Sequence, residues 1–229
     1  MDRMVGAAEL FGLGTRTMAG AERGRCGVAW REAVAFRDGL MIALLATRPV
    51  RRRNLAAMEM GRHLTRRGAS YWLSFGAAET KGGRALEFPL PAALAPALER
   101  YLAVHRPVLL SRAGDAGTTA RLWVSATGSA MGEAAIYGRI VKLTRTAFGA
   151  PVNPHLFRDC AATSIALEGP AHVRITREIL GHGAMATSER HYNHAGGLAA
   201  SRDYQAHVQR LRDQARTMGG KRIKRRAGA

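Results

Sequence analysis

Asn153-Pro154-His155-Leu156-Phe157-Arg158 is the stretch on which the reading of this chain turns. An Asn-Pro pair opens a helix: the asparagine side chain accepts from the unpaired N–H groups of the first turn. Proline at the first helical position gives up an N–H that has no partner there. His155 and Arg158 are three residues apart and so share a face of that turn. The free N–H groups and the positive end of the helix dipole lie beside them. A histidine, an arginine and a helix start together suit an anion such as phosphate. A surface His and Arg in an ordinary first turn is the plainer alternative, and these six residues do not decide between the two.

Charge favours the anion. The chain has 229 residues with 35 Lys plus Arg against 17 Asp plus Glu, a net charge of +18. An excess of this size favours a polyanionic partner. The apolar fraction, 47%, is that of a globular chain and excludes a basic disordered tail. The longest apolar run, Gly39 to Thr47, is far short of the ~18 residues of a membrane span. The first fourteen residues lack a signal-peptide pattern. Two cysteines, Cys26 and Cys160, fit no zinc or disulfide spacing, so a reducing cytoplasm is expected. No Gly-rich phosphate loop is present, so neither nucleotide hydrolysis nor a nicotinamide cofactor is expected.

Periodicity predicts a mainly helical α+β fold with a small antiparallel sheet. Residues 1–30, rich in Gly and Ala, read as a loose lead-in. Trp30 to Thr47 reads as a helix with a buried end, and Pro49 suits the first turn of another that runs to about Met60. Tyr71 to Phe75 and Ala85 to Leu90 read as paired strands around Gly82-Gly83. Helices follow over Ala93 to His105 and Gly132 to Phe148, with a short strand Leu122 to Val124 between them. After the Asn153 helix come Val173 to Leu180, closed by Gly181, a short helix through Tyr192, and a last helix over 198–218. The tail, 219–229, holds five basic residues and no acid and is expected to be disordered.

Further candidate residues lie along this frame. Arg48, Arg51, Arg52 and Arg53 fit a plain solvated basic face, but Arg51 stands four residues before Leu55 and seven before Met58, on the apolar stripe. A guanidinium there requires a nearby acid or an anionic ligand. Lys81, in Thr80-Lys81-Gly82-Gly83, is either a solvated turn lysine or a mobile ammonium that donates a proton. His182 follows a helix end, and Tyr192 comes ten residues later. His182, His191 and His194 are close in sequence, but neither acid-rich surroundings nor HExxH-type spacing accompanies them, so no metal is expected.

The order of these signals resembles the catalytic domain of the tyrosine recombinases, the phage-integrase family. The likeness runs from about Arg37 to His194, within an expected catalytic domain of residues 31–197. Ala46-Thr47-Arg48-Pro49-Val50-Arg51 is similar to the family's first-arginine segment, Glu79-Thr80-Lys81 to its hairpin lysine, Pro154-His155-Leu156-Phe157-Arg158 to its most specific box, and Leu180-Gly181-His182 with Tyr192 to its last. Asn54 stands where the family has an acid, and Tyr192 is ten residues beyond His182 where many members have nine.

The resemblance implies Arg51, Lys81, His155, Arg158, His182 and Tyr192 as catalytic residues, with Tyr192 attacking a phosphodiester. It implies double-stranded DNA as partner, homodimers or tetramers on that DNA, a nucleoid setting, and no cofactor, nucleotide or membrane. A type IB topoisomerase-like relaxer and a non-catalytic DNA-binding relative are the alternatives. The family's N-terminal DNA clamp is not expected from a 30-residue lead-in, which implies weaker DNA affinity. An apolar seam of Tyr204, Val208, Leu211, Ala215 and Met218 fits either packing on its own domain or docking in a neighbouring protomer.

Overall fold

The computed structural model describes residues 5–24, 27–80, 82–116, 118–161 and 204–213. Its elements in chain order begin with α1 (Ala7–Glu22), α2 (Ala29–Thr47) and α3 (Arg52–Ala57). A three-stranded antiparallel sheet follows, β1 (Leu64–Arg67), β2 (Ser70–Phe75) and β3 (Leu86–Pro89), in the order β1-β2-β3. Then come α4 (Ala95–Arg100), a π turn (Tyr101–His105), α5 (Arg106–Leu110) and α6 (Glu133–Phe148). Residues 156–161 are helical (α7), as are residues 204–213 (α8). The expected architecture, mainly helical with a small antiparallel sheet, is the observed one. No helix among the described residues is long and apolar enough to cross a membrane.

α2 is the centre of the core. Its residues from Phe36 to Thr47 are all buried, which is why its sequence reads as a nearly continuous apolar run. The lead-in expected to be loose is instead α1, a 16-residue helix that buries Leu10, Phe11, Leu13 and Met18. The small residues that hide its period are the reason it fits. A Cβ on Gly14 would stand 2.6 Å from the Gly39 carbonyl oxygen and 2.7 Å from the Ala43 nitrogen. A Cβ on Gly39 would stand 2.6 Å from the Gly14 carbonyl oxygen. The two backbones touch at this crossing, and glycine on both sides is what lets them.

Asp38 ties α2 to α6. Its Oδ1 accepts from Arg37 Nε at 2.9 Å and Nη2 at 2.6 Å, and its Oδ2 accepts from Arg139 Nε of α6 at 2.6 Å. Arg37 Nη1 also donates to the Val124 carbonyl. Arg37 and Asp38 are each only 1% exposed. A buried carboxylate that lost these partners would be strongly destabilising.

Other expectations are corrected. Leu122 to Val124 is buried and extended but is not a strand, since only the isolated bridges Glu59–Arg121 and Val124–Ala130 flank it. β1 was not expected, because Leu64-Thr65-Arg66-Arg67 carries no apolar alternation; its register, Leu64 opposite Leu73, is set across the strand pair. The helix expected to end at His105 continues to Leu110 through the π turn. Pro107 lacks an N–H and its ring crowds the carbonyl four residues back, which a widened turn just before it relieves. Pro49 does not start a helix: Val50 donates to the Arg48 carbonyl at 2.7 Å, so Pro49 is the centre of a γ-turn, and α3 starts at Arg52.

In α8, Tyr204 and Val208 are each 1% exposed. Tyr204 Oη donates to the Ala46 carbonyl at 2.7 Å, Gln205 Nε2 donates to the Pro89 carbonyl, and Arg212 lies over Phe11. This described part of the seam therefore packs on its own domain. The rest of the expected 198–218 helix, the basic tail and the expected helices 173–180 and 187–192 lie outside the described residues.

The crossing of α1 and α2 yields a paired test. Gly14→Ala should lose about 1–3 kcal/mol by overpacking. Gly20→Ala, on the same helix with open space at its Cβ, should gain roughly 0.5–1 kcal/mol. Thermal and denaturant unfolding of the two variants would check this, and equal effects would refute backbone contact at Gly14.

Candidate active site

Two segments converge on the candidate site, one continuing α2 and one continuing α6. At the end of α2, Thr47 Oγ1 donates back to the Ala43 and Leu44 carbonyls and Arg48 N–H caps Leu44. The γ-turn at Pro49 then delivers Arg51, half-buried, at the N-cap of α3. At the end of α6, Gly149 takes the left-handed conformation (φ 79°) that closes the helix. Thr144 Oγ1 holds Val152 from both sides, accepting its N–H at 2.9 Å and donating to its carbonyl at 3.2 Å. Asn153 Oδ1 then accepts from the backbone N–H of His155 at 2.9 Å and Leu156 at 3.1 Å. This is the cap expected from the Asn-Pro pair.

The two segments are joined through Arg158. Its Nη1 donates to the Pro49 carbonyl at 2.8 Å, and the side chain is only 7% exposed. Burial pushes its guanidinium below the usual arginine range, the positive charge of Arg51 pushes it further, and Asp159 opposes both. Arg51 and Arg158 are thus held near enough to repel one another, an arrangement that an anion between or beside them relieves. His155 is exposed at the mouth of the same turn. Of the six expected site residues, the structure brings Arg51 near Arg158, and His155 stands in the same turn as Arg158, whose N–H donates to its carbonyl at 2.9 Å. Lys81, His182 and Tyr192 lie outside the described residues.

The flanks of Lys81 are described. Thr80 Oγ1 donates to the Arg84 carbonyl at 2.6 Å and accepts from the Arg84 N–H at 3.1 Å, which closes the connection between β2 and β3. One residue earlier in the chain, Glu79 is anchored from three sides. It accepts from His63 Nε2 at 2.9 Å, Arg62 Nη2 at 2.6 Å and the Gly76 N–H at 2.7 Å. His63 Nδ1 accepts from the Glu59 N–H, so its proton sits on Nε2 and points at Glu79. The His63 hydrogen bond, then that of Gly76, holds the Glu79 carboxyl below the usual carboxylate range.

Sequence reasoning placed Arg51 beside the core and left Arg48 within a cluster that fits a solvated face. Arg48 is the buried one, 4% exposed, with its guanidinium 4.6 Å from the Phe88 ring centroid. Among the described residues its Nε and Nη2 have no hydrogen-bond partner. Burial lowers it to about 9. The signal that could have found it is its place at the end of a fully buried helix. Asn54, where the resemblance anticipates an acid, is buried in α3.

Comparison with known proteins follows the same lines. Residues 27–197, well over half of the chain, match the model of the phage integrase family. The chain is 32% identical over 110 residues to tyrosine recombinase XerD of Mycobacterium tuberculosis, a stretch that covers 48% of this chain and 34% of that protein. It is 35% identical over 114 residues to tyrosine recombinase XerC of Bifidobacterium longum subsp. infantis, covering 48% and 31%. It is 33% identical over 125 residues to tyrosine recombinase XerD of Caulobacter vibrioides, covering 51% and 38%. The chain thus spans about a third of the length of these curated relatives.

The cap at Asn153 gives a direct test of the site's foundation. Asn153→Ala should cost about 1 kcal/mol, lowering the melting temperature by ~2–4 °C. Asn153→Ser, which keeps a capping oxygen, should recover most of that loss. Thermal unfolding of the pair measures it, and an unshifted melting temperature in the alanine variant would count against the cap.

Proposed function

The chain belongs to the phage integrase family, and from that premise we propose that it is a site-specific recombinase that breaks and rejoins double-stranded DNA through a 3′-phosphotyrosine. The observation that supports this most is the bond from Arg158 to the Pro49 carbonyl, which ties the segment carrying Arg51 to the helix start carrying Arg158 and lets the two positive charges act on one another. A phosphodiester needs a nucleophile, charge neutralisation and an acid for the leaving group. Guanidinium groups fork onto the non-bridging oxygens of a phosphate and stabilise the charge that grows there in the transition state.

In the proposed reaction the Tyr192 hydroxyl oxygen attacks phosphorus and the bond from phosphorus to the 5′ oxygen breaks. His155 assists removal of the tyrosine proton, Lys81 protonates the departing 5′ oxygen, and His182 hydrogen-bonds the same phosphate. The bond energy is retained in the phosphotyrosine, so a 5′ hydroxyl from another strand reverses the step without ATP. Exchange of strands requires two or more protomers on the DNA.

Nicked suicide duplexes test the proposal, because loss of the short 5′ fragment traps the covalent intermediate. The wild type should form an adduct that survives denaturing electrophoresis. Tyr192→Phe should bind DNA and form none. Arg158→Ala should slow adduct formation by about 10²–10³-fold, the usual effect of removing one donor to a developing oxyanion. An adduct in the Tyr192→Phe variant would reassign the nucleophile. Supercoil relaxation by the wild type without exchange between two sites would make it a relaxing enzyme instead.

A further inference from the structure

Large hydrophobic side chains are exposed at two places among the described residues, Tyr137 at 39% and Leu156 at 38%. Each is next to a residue that neighbours one of the two site arginines in sequence or in the same turn. Leu156 lies between His155 and Arg158. Tyr137 projects from α6 and meets α3 through Arg52, the residue after Arg51. The Arg52 guanidinium lies 5.6 Å from the Tyr137 ring centroid, while its Nε donates to Glu133 Oε2 at 3.0 Å. The ring is therefore held from one side by a cation and left open on the other.

The helix face around that ring is unobstructed. Ile136 and Ile140 turn into the core, both fully buried. Ala134 and Gly138, which share the outward face with Tyr137, are exposed, and nothing lies within 4 Å of a Cβ built on Gly138. A large surface could approach this backbone closely with Tyr137 as its foremost contact. Glu133 matches Arg52, and exposed Arg53 next to it on α3 leaves this border net positive, which an anionic surface complements. Arginine contacts to phosphate fix register and carry no base sequence. A tyrosine ring can pack on base edges or the thymine methyl group, which does carry it.

We propose that Tyr137, braced by Arg52, contacts the bases beside the cleaved phosphate of double-stranded DNA and sets the sequence preference of cleavage there. This rests on the strand-transfer reading above. The test uses nicked suicide duplexes randomised at the base pairs on either side of the cleaved bond, with sequencing of the covalently captured fraction against the input.

The wild type should show at least a tenfold preference at one or two of these positions. Tyr137→Ala should reduce that preference to within about twofold, keep preferences elsewhere, and lose less than ~10-fold in adduct on the best sequence, in line with the usual worth of one base contact. Tyr137→Phe should keep the preference, because the ring carries it. An alanine variant with the full wild-type preference overturns the proposal. So does an alanine variant with a wild-type melting temperature that loses adduct equally on every sequence, or a phenylalanine variant that loses the preference. Absence of any adduct from the wild type would instead sink the strand-transfer reading, and this inference with it.

Discussion

The fold is organised around the two oxygens of Asp38. One is occupied by Arg37 on the same helix and the other by Arg139 on α6. Both charges of the α2 pair are out of water, where Coulomb attraction is strong and an unpaired carboxylate is costly. The bracket therefore fixes α2 against α6 and, through Arg37 and the Val124 carbonyl, against the extended segment between them. The two arginine-bearing segments are the continuations of those two helices. Where Arg51 and Arg158 stand relative to one another is thus set partly by an aspartate that touches neither.

The electrostatics of the described residues follow the same division. Glu22 takes Arg100, Glu59 and Glu79 take Arg62, Glu87 takes Arg67, and Glu133 takes Arg52. Apart from Glu59–Arg62, these pairs join residues well separated in sequence, as when Glu22 links α1 to α4, and His105, stacked on Phe36, donates to the same carboxylate. Most are exposed, and such pairs contribute little to stability. Their larger effect is to leave the positive field uneven. Much of the charge is matched locally, and at Arg158 the positive charge of Arg51 is opposed by Asp159.

Legibility in the sequence followed from how local the cause was. The Asn153 cap, the extent of α2 and the β2–β3 pairing rest on neighbouring residues and could be read directly. α1 could not, because a helix rich in Gly and Ala lacks apolar contrast and only its partner, with Gly39 at the crossing, explains it. β1 escaped for a similar reason: strand pairing rather than its own pattern holds it extended. At the site, the box containing His155 and Arg158 was legible from spacing. The γ-turn at Pro49 was not, since proline suits a helix start equally well, and with it went the distinction between buried Arg48 and half-buried Arg51. The His63–Glu79 contact spans a β1–β2 hairpin whose existence was itself unread.

The bond from Arg158 to the Pro49 carbonyl has a bearing on how such a site can drift in evolution. Its acceptor is main chain, so no change of side chain at position 49 can delete it. What can is a change in the number of residues between the end of α2 and Arg51, which would carry the carbonyl away from its donor. A segment built this way tolerates altered spelling and resists altered length. Here Arg48-Pro49-Val50 precedes Arg51, and the bond that ties Arg158 to this segment runs to the main chain of that proline.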